Sequence, residues 1–573
     1  MTRETEFNFA NLPETEIGRS KFDRSFNHCT TFSNGDLVPL MVEHVMPGDT
    51  VNMNMSSVIR MLTPMTPVMD SLYADIFFFY IPYRLIWDNF KYFLGENKDP
   101  WTQTVDRRFP KLKLKTDNPN DESHVVEAGS LLNYMGIPLG IGQPYNATDA
   151  RTLQINALPI RAYCKVYNDW FKSEAVEKDL YYPTDDGTWS FNSLSFINNT
   201  WDKTGASWPY RCYMGGPCAK VNREFDYFSA GLPEPQRGES TLVPLVGANL
   251  PVVFGQIFDD ETNEWKDTTT HPITGEDQPW IGNVMTDHSA KLGYGNELYS
   301  PSNEIFRLTA KLGDAVGASV NAIRQSFAIQ KFYERQARYG TRYGEVIQGH
   351  FNTTNPDIMI SRSEYLGGKR IPISINQVVS QGNTPDGAPL GDTGAYSVTS
   401  DVSGDIFTKS FSEWGILLGL VCTRTHRSYQ QGINRFWFMD KITDMYWPEF
   451  ANLGEMPIYE KEICAINEDS ETEGTNDSVF AYQEAWAHYR YSPDLITGMM
   501  SSVYDQSLDI WHFGDYYETP PTLSTEWMEE PTTNVNRTLA YQEGHQFKGD
   551  FFFKATWTRP MPLYSIPGLV DHH

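Results

Sequence analysis

The hydrophobic pattern divides this chain into strand-like ends and a middle that carries helices. Val51-Asn-Met-Asn-Met55 alternates apolar and polar positions, the period-two signature of a strand with one buried face. Ala74-Asp-Ile-Phe-Phe-Phe-Tyr-Ile-Pro82 is a nearly unbroken apolar run closed by proline, which predicts a strand covered on both faces. Helical spacing follows. Leu85-Ile-Trp-Asp-Asn-Phe-Lys-Tyr-Phe-Leu94 places apolar residues three and four apart and stops at Gly95. A second helix is predicted over 157–172. A third is predicted over 316–338, where Val320, Ile323, Phe327 and Lys331 keep the same spacing. Strand signals return near the C-terminus. Ile371, Ile373 and Ile375 alternate with Pro372, Ser374 and Asn376, and Asp550-Phe-Phe-Phe-Lys-Ala-Thr-Trp557 alternates over its second half.

Strand signals at the two ends are thus separated by hundreds of residues. If they pair, everything between them is inserted into one sheet system. A jelly roll or Greek key with very large loops fits this better than a string of small domains. The opening 36 residues are polar and irregular with scattered Phe, so 1–36 reads as an arm and 37–573 as one domain with long insertions. Three segments read as exposed excursions. Residues 247–302 are rich in turn formers, 381–404 hold five Gly and two Pro, and 455–477 hold eight acidic residues against one Lys. No repeat of fixed period is present.

Composition narrows the function. The 573 residues are 40% hydrophobic and 14% aromatic, with 33 Phe, 31 Tyr and 15 Trp that require burial, so disorder is excluded as the main state. The formal net charge is −27, a surface that on average repels nucleic acid and anionic lipid. No apolar run reaches the roughly 18–20 residues of a membrane span, and Met1-Thr-Arg-Glu-Thr-Glu-Phe7 lacks the pattern of a secretory signal. Cys29, Cys164, Cys212, Cys218, Cys422 and Cys464 are too few and too scattered for a disulfide framework, and read as free thiols.

Motif chemistry is sparse. Leu366-Gly-Gly-Lys-Arg370 lacks the spacing and the hydroxyl of a P-loop, and neither a zincin helix nor a nucleophile elbow is present. Cys212-x5-Cys218 has no second ligand pair, so no metal and no cofactor is expected. His426, His488, His512 and His545 read as hydrogen-bonded core or interface residues ahead of catalytic bases. Paired carboxylates with Trp platforms leave a β-rich glycoside hydrolase or carbohydrate-binding protein as the alternative class, and a tail-spike-like adhesin as a third. One stretch opposes the global charge: Arg324, Lys331, Arg335, Arg338 and Arg342 with only Glu334, interleaved with Phe327, Phe332, Tyr333 and Tyr339. Basic and aromatic residues together suit contact with phosphates and bases. The plainer reading, placed ahead of nucleic acid, is that these Arg residues pair with an acidic neighbouring subunit or within the chain.

Several blocks resemble the major capsid proteins of gokushovirus-type microviruses, small phages with circular single-stranded DNA. They include Arg24-Ser-Phe-Asn-His-Cys-Thr-Thr-Phe-Ser-Asn-Gly-Asp-Leu-Val-Pro39, Pro47-Gly-Asp-Thr50 and Asp75-Ile-Phe-Phe-Phe-Tyr-Ile-Pro-Tyr-Arg-Leu-Ile-Trp-Asp-Asn-Phe90. Tyr167-Asn-Asp-Trp-Phe171, Asp226-Tyr-Phe228, 330–343, Glu364-Tyr-Leu-Gly-Gly368, Tyr429-Gln-Gln-Gly432 and Tyr489-Arg-Tyr-Ser-Pro493 continue in order, and Arg559-Pro-Met-Pro562 and Pro567-Gly-Leu-Val-Asp-His572 close the series.

The resemblance implies a mainly β, eight-stranded antiparallel jelly roll with large insertions containing helices. It implies a T=1 icosahedral shell of sixty copies that is made in the bacterial cytoplasm and has no enzymatic role. Its partners would be packaged single-stranded DNA, a small basic DNA-packaging protein, a pilot protein and a host surface receptor. It also implies that an insertion clusters as a three-fold protrusion for host attachment, here 247–302, with Asp259, Asp260, Glu261, Trp265 and Trp280 as candidate contacts. So acidic a shell cannot neutralise its genome alone, so direct DNA contacts are expected to be few and concentrated on Arg324, Lys331, Arg335, Arg338 and Arg342.

Overall fold

The computed structural model describes residues 18–96, 108–116, 126, 128–142, 153–191, 216–238, 252–259, 264–267, 305–310, 320–339, 343–352, 361–379, 393–469 and 474–564. Two compact units are present, one formed by 1–235 with 340–573 and the other by 236–339.

The first unit is built on β1 (Ser20–Asp23), β2 (Phe26–Phe32), β3 (Val38–Val45), β4 (Thr50–Met61), β5 (Leu72–Pro82), β6 (Glu364–Pro372), β7 (Thr399–Ser410), β8 (Gly415–Thr425) and β9 (Phe547–Arg559). Two sheets result, one of five strands and one of four. In one, β9 lies between β4 and the edge formed by β1 and β2, and β7 closes the far side; in the other the order is β6-β5-β8-β3. Every pairing is antiparallel. Counting β1 and β2 as one interrupted edge, this is an eight-stranded jelly roll. The chain changes sheet at each connection except that from β5 to β6, which are neighbours on either side of the 83–363 insertion.

The pairing of distant ends is direct. Phe26 lies opposite Phe553 and Phe32 opposite Phe547, while the other side of β9 pairs Phe547 with Met61 and Trp557 with Val51. Alternate residues of β4 and β9 point inward and are buried. Phe78 of β5 crosses the sandwich, its ring 6.2 Å from Phe553 and 5.7 Å from Phe407. Phe77 and Phe79 point the other way, against Phe171 at 5.3 Å and 5.9 Å. Phe171 ends a helical segment, α1 (Leu158–Val166) continued by a π turn over Tyr167–Phe171. Cover on both faces is why β5 reads as an unbroken apolar run. The motif Gly367-Gly368 also has a physical reason. A bulge interrupts the β6 register between Tyr365 and Gly367, Gly367 has φ +154°, and a Cβ on Gly368 would lie 2.3 Å from the Ile76 carbonyl oxygen.

Several expectations change in detail. Residues 20–32, read as part of an arm, are edge strands of the sandwich, and 1–17 lie outside the described residues. The outward side chains Asn27, Cys29 and Thr31 are polar, which hides the alternation of an edge strand. The helix over 85–94 shortens to Phe90–Leu94, preceded by a single turn at Tyr83–Leu85, and Gly95 closes it in the left-handed region at φ 111°. The alternation at 371–375 belongs to two strands, because β6 ends at Pro372 and Ile375–Val379 pairs with Thr393–Ser397. Residues 455–477 are no simple solvated loop. Met456–Tyr459 pairs with Val479–Gln483, and Ile458, Ile463 and Cys464 are buried. Cys29, Cys164, Cys218, Cys422 and Cys464 are not joined in disulfides, and Cys212 lies outside the described residues.

In the second unit, Val252–Asp259 is the central strand of an antiparallel three-stranded sheet, flanked by Glu264–Asp267 and Ile305–Ala310. The helix α2 (Val320–Tyr339) completes it. The unit is wider than the 247–302 excursion because it includes this helix.

Candidate assembly and nucleic-acid surfaces

The third helical pattern forms as α2, and its periodicity gathers the basic residues. At 3.6 residues per turn Arg324, Lys331, Arg335 and Arg338 fall within about 60° of arc, and all four are exposed. Phe327, 68% exposed, lies beside them on that face. The opposite face packs within its own unit: the Tyr333 ring covers Gly238, and Gln330 donates to Gln236 and, at 3.0 Å, to Glu334. The result is an exposed cationic stripe with one aromatic side chain. Arg342 lies outside the described residues. Asp259 and Trp265 fall in the strands Val252–Asp259 and Glu264–Asp267, and Asp260, Glu261 and Trp280 lie outside the described residues.

Three of the four singled-out histidines are hydrogen-bonded. His512 contacts the Met500 carbonyl at 2.7 Å and accepts from the Gly514 amide at 3.0 Å; His426 meets Asp494 at 2.8 Å and His545 meets Thr31 at 2.8 Å. Burial holds His488 down, at about 4, below the ordinary histidine range.

A buried polar cluster ties the long connections to the sandwich. Glu530 accepts from the Thr425 amide at 3.0 Å, the Thr425 hydroxyl at 2.7 Å, Asn34 Nδ2 at 2.9 Å, and Arg427. Asp515 accepts from Arg223, from Arg427 at 3.4 Å and from Asn534 at 2.6 Å. These residues come from the β2–β3 turn, the 83–363 insertion, the end of β8 and the 426–546 insertion. Burial alone would raise the Asp515 carboxyl, but the Arg223 and Arg427 guanidiniums overcome it and hold Asp515 below the usual carboxylate range. Glu462, in the acidic 455–477 segment, shows the reverse. Burial raises it, although Arg435 lies 3.3 Å away and the Tyr227 hydroxyl donates to it at 3.1 Å.

Sequence reasoning passed over the most exposed apolar surface. From 430 to 457 no side chain is buried, although the segment contains Phe436-Trp-Phe-Met439, Ile442 and Met445-Tyr-Trp447. Hydrogen bonds fix this segment: Trp486 Nε1 donates to the Phe450 carbonyl at 2.8 Å, Arg435 to the Pro457 carbonyl at 2.7 Å, and Trp447 Nε1 to the Ile442 carbonyl at 2.9 Å. A cluster of apolar residues at non-periodic spacing in a polar segment was the available signal. Among the described residues, no helix is long and apolar enough to cross a membrane, and no three His, Cys, Asp or Glu side chains converge as metal ligands.

Comparison with known proteins agrees with the architecture. The family described as "Capsid protein (F protein)" matches residues 10–569. The chain is 32% identical over 574 residues to "Capsid protein VP1" of Bdellovibrio phage phiMH2K, covering 99% of this chain and 98% of that one. It is 31% identical over 577 residues to "Capsid protein VP1" of Spiroplasma virus 4 and 30% identical over 615 residues to "Capsid protein VP1" of Chlamydia phage 1, in each case covering 98% of this chain and 97% of the relative. A viral-type jelly roll spanning both chain ends, elaborate connections pinned to it by buried ion pairs, and end-to-end matches to phage capsid proteins together lead to one assignment: the chain belongs to the F-protein family of capsid proteins of Microviridae-type bacteriophages, and its place is the virion.

Proposed function

We propose that this capsid protein forms a T=1 icosahedral shell of sixty copies, assembled in the cytoplasm of a bacterial host around circular single-stranded DNA. The observation that carries the reading is the jelly roll closed by β9 between β2 and β4, a self-contained block with two very long connections left to meet neighbours. A net charge of −27 per copy means that the packaged phosphates need other cations, so a small basic packaging protein is the expected internal partner and a pilot protein accompanies the genome.

The attachment role falls to the 247–302 insertion, with Asp259, Asp260, Glu261, Trp265 and Trp280 facing a host receptor. Eight acidic residues against one Lys in 259–287 favour basic or cation-bridged receptor surfaces. Replacing 247–302 by a short linker is expected to leave particle formation intact and to abolish adsorption to host cells. Loss of particles would make the insertion architectural instead.

The α2 stripe supplies direct DNA contacts. Reversing Lys331 and Arg335 to Glu is expected to weaken single-stranded DNA binding and to flatten its salt dependence by about 1.4 in the log–log slope, at about 0.7 per phosphate contact. The acidity of the chain favours a second reading, in which the stripe pairs with an acidic neighbouring copy. Unchanged DNA binding with lost assembly in the same variant would select it.

A further inference from the structure

We infer that the ridge Phe436–Trp447 is a contact between neighbouring copies in the shell, an inference that rests on the shell reading above. The area is the first argument. Trp437 is 73% exposed, Ile442 69%, Phe436 56%, Met445 51%, Tyr446 47% and Trp447 41%. At about 200 Å² per large side chain these six leave on the order of 650 Å² of mostly apolar surface in water. Soluble monomers rarely expose a patch beyond a few hundred Å². A stable interface uses about 800 Å² per partner, so the ridge alone nearly supplies one side.

Its rigidity is the second argument. The bond from Trp447 to the Ile442 carbonyl braces the ridge internally, and those from Arg435 to Pro457 and from Trp486 to Phe450 fix the chain on either side of it, without burying the ridge side chains, so little ordering cost remains when a partner covers them.

Charge and stoichiometry choose the occupant. Asp440, Asp444, Glu449 and Glu455 outnumber Arg435 and Lys441 along 430–457, which disfavours nucleic acid. A patch borne by every subunit needs a partner present in equal number, and in a closed shell a second copy of the chain meets that condition. Apolar contact also suits subunits whose like net charge opposes their approach.

Hydroxyl-radical oxidation, read by mass spectrometry on virions and on folded subunits released from them, tests this. Trp437 is expected to oxidise about 7-fold more slowly in the virion, the ratio between its exposure of 73% and an interface-core position at roughly 10%. Equal rates in intact shells and released subunits would overturn the contact while leaving the shell reading standing. Protection that vanishes from shells lacking DNA or the small basic partner would give the ridge to that partner and overturn the inference equally. A purified wild-type protein that never yields particles, from infected cells or otherwise, would remove the shell reading itself. As a second measurement, Trp437→Ser combined with Ile442→Ser, purified as the unassembled subunit, is expected to keep the circular dichroism and melting temperature of the wild-type subunit and to lose particle formation; normal particle yield would contradict the inference.

Discussion

Asp515→Asn is expected to lower the unfolding free energy of the subunit by about 3–5 kcal/mol, because it leaves Arg223 and Arg427 buried without their shared counter-charge. Both guanidiniums are almost wholly buried, and among the described residues Arg427 then keeps Glu530 as its anionic partner. Set against the 5–15 kcal/mol typical of a folded domain, the loss is a large fraction of the total. The pH dependence follows from the direction of the shift. Asp515 is depressed in the folded chain, so its contribution is complete above the unfolded carboxylate value near 3.9 and is lost as pH falls through the lower folded value. Urea unfolding of released subunits, followed by tryptophan fluorescence, is expected to show stability falling steeply below about pH 4 in the wild type and a shallower acid limb in Asp515→Asn. A cost under about 1 kcal/mol would mean that the cluster does not hold the long connections to the sandwich.

Phe551→Ala is expected to cost a further-reaching 3–5 kcal/mol, approximately the range for truncating a fully buried aromatic side chain. Phe551 sits on the inner face of β9, fully buried, with its ring 6.3 Å from Phe32 across the β2 edge. The next residue is the control. Phe552 is on the outer face and 45% exposed, so Phe552→Ala is expected to stay within about 0.5 kcal/mol. The same urea titration reads both. Equal effects would mean that β9 does not lie between β2 and β4 with this register.

The contrast between these neighbours also shows what could be read from the chain. β5 was legible because both of its faces are covered, which leaves an unbroken apolar run. The C-terminal half of β9 was legible because Phe553, Ala555 and Trp557 alternate with Lys554 and Thr556. β2 was not, since its outer face is polar and its inner face includes His28 and Thr30 beside Phe26 and Phe32. The third helix was visible in its spacing, and that same spacing places four basic residues on one side. Acidic composition misdirected the reading of 455–477, because Glu460 and Glu462 are buried. The cluster of Asn34, Arg223, Arg427, Asp515 and Glu530 had no sequence signature, because only the fold brings residues so far apart in the chain together. The ridge left its apolar residues in plain view but without a period, and no burial among the described residues accounts for them.

A density map of the intact particle is the most direct measurement. It is expected to show sixty copies, each with 547–559 hydrogen-bonded between 26–32 and 50–61, and with Trp437 covered by an adjacent copy. A map in which 547–559 lies outside the sheet containing 50–61, or in which the long connections make no contact with other copies, would contradict a sandwich closed by its own distant ends and joined to its neighbours through its insertions.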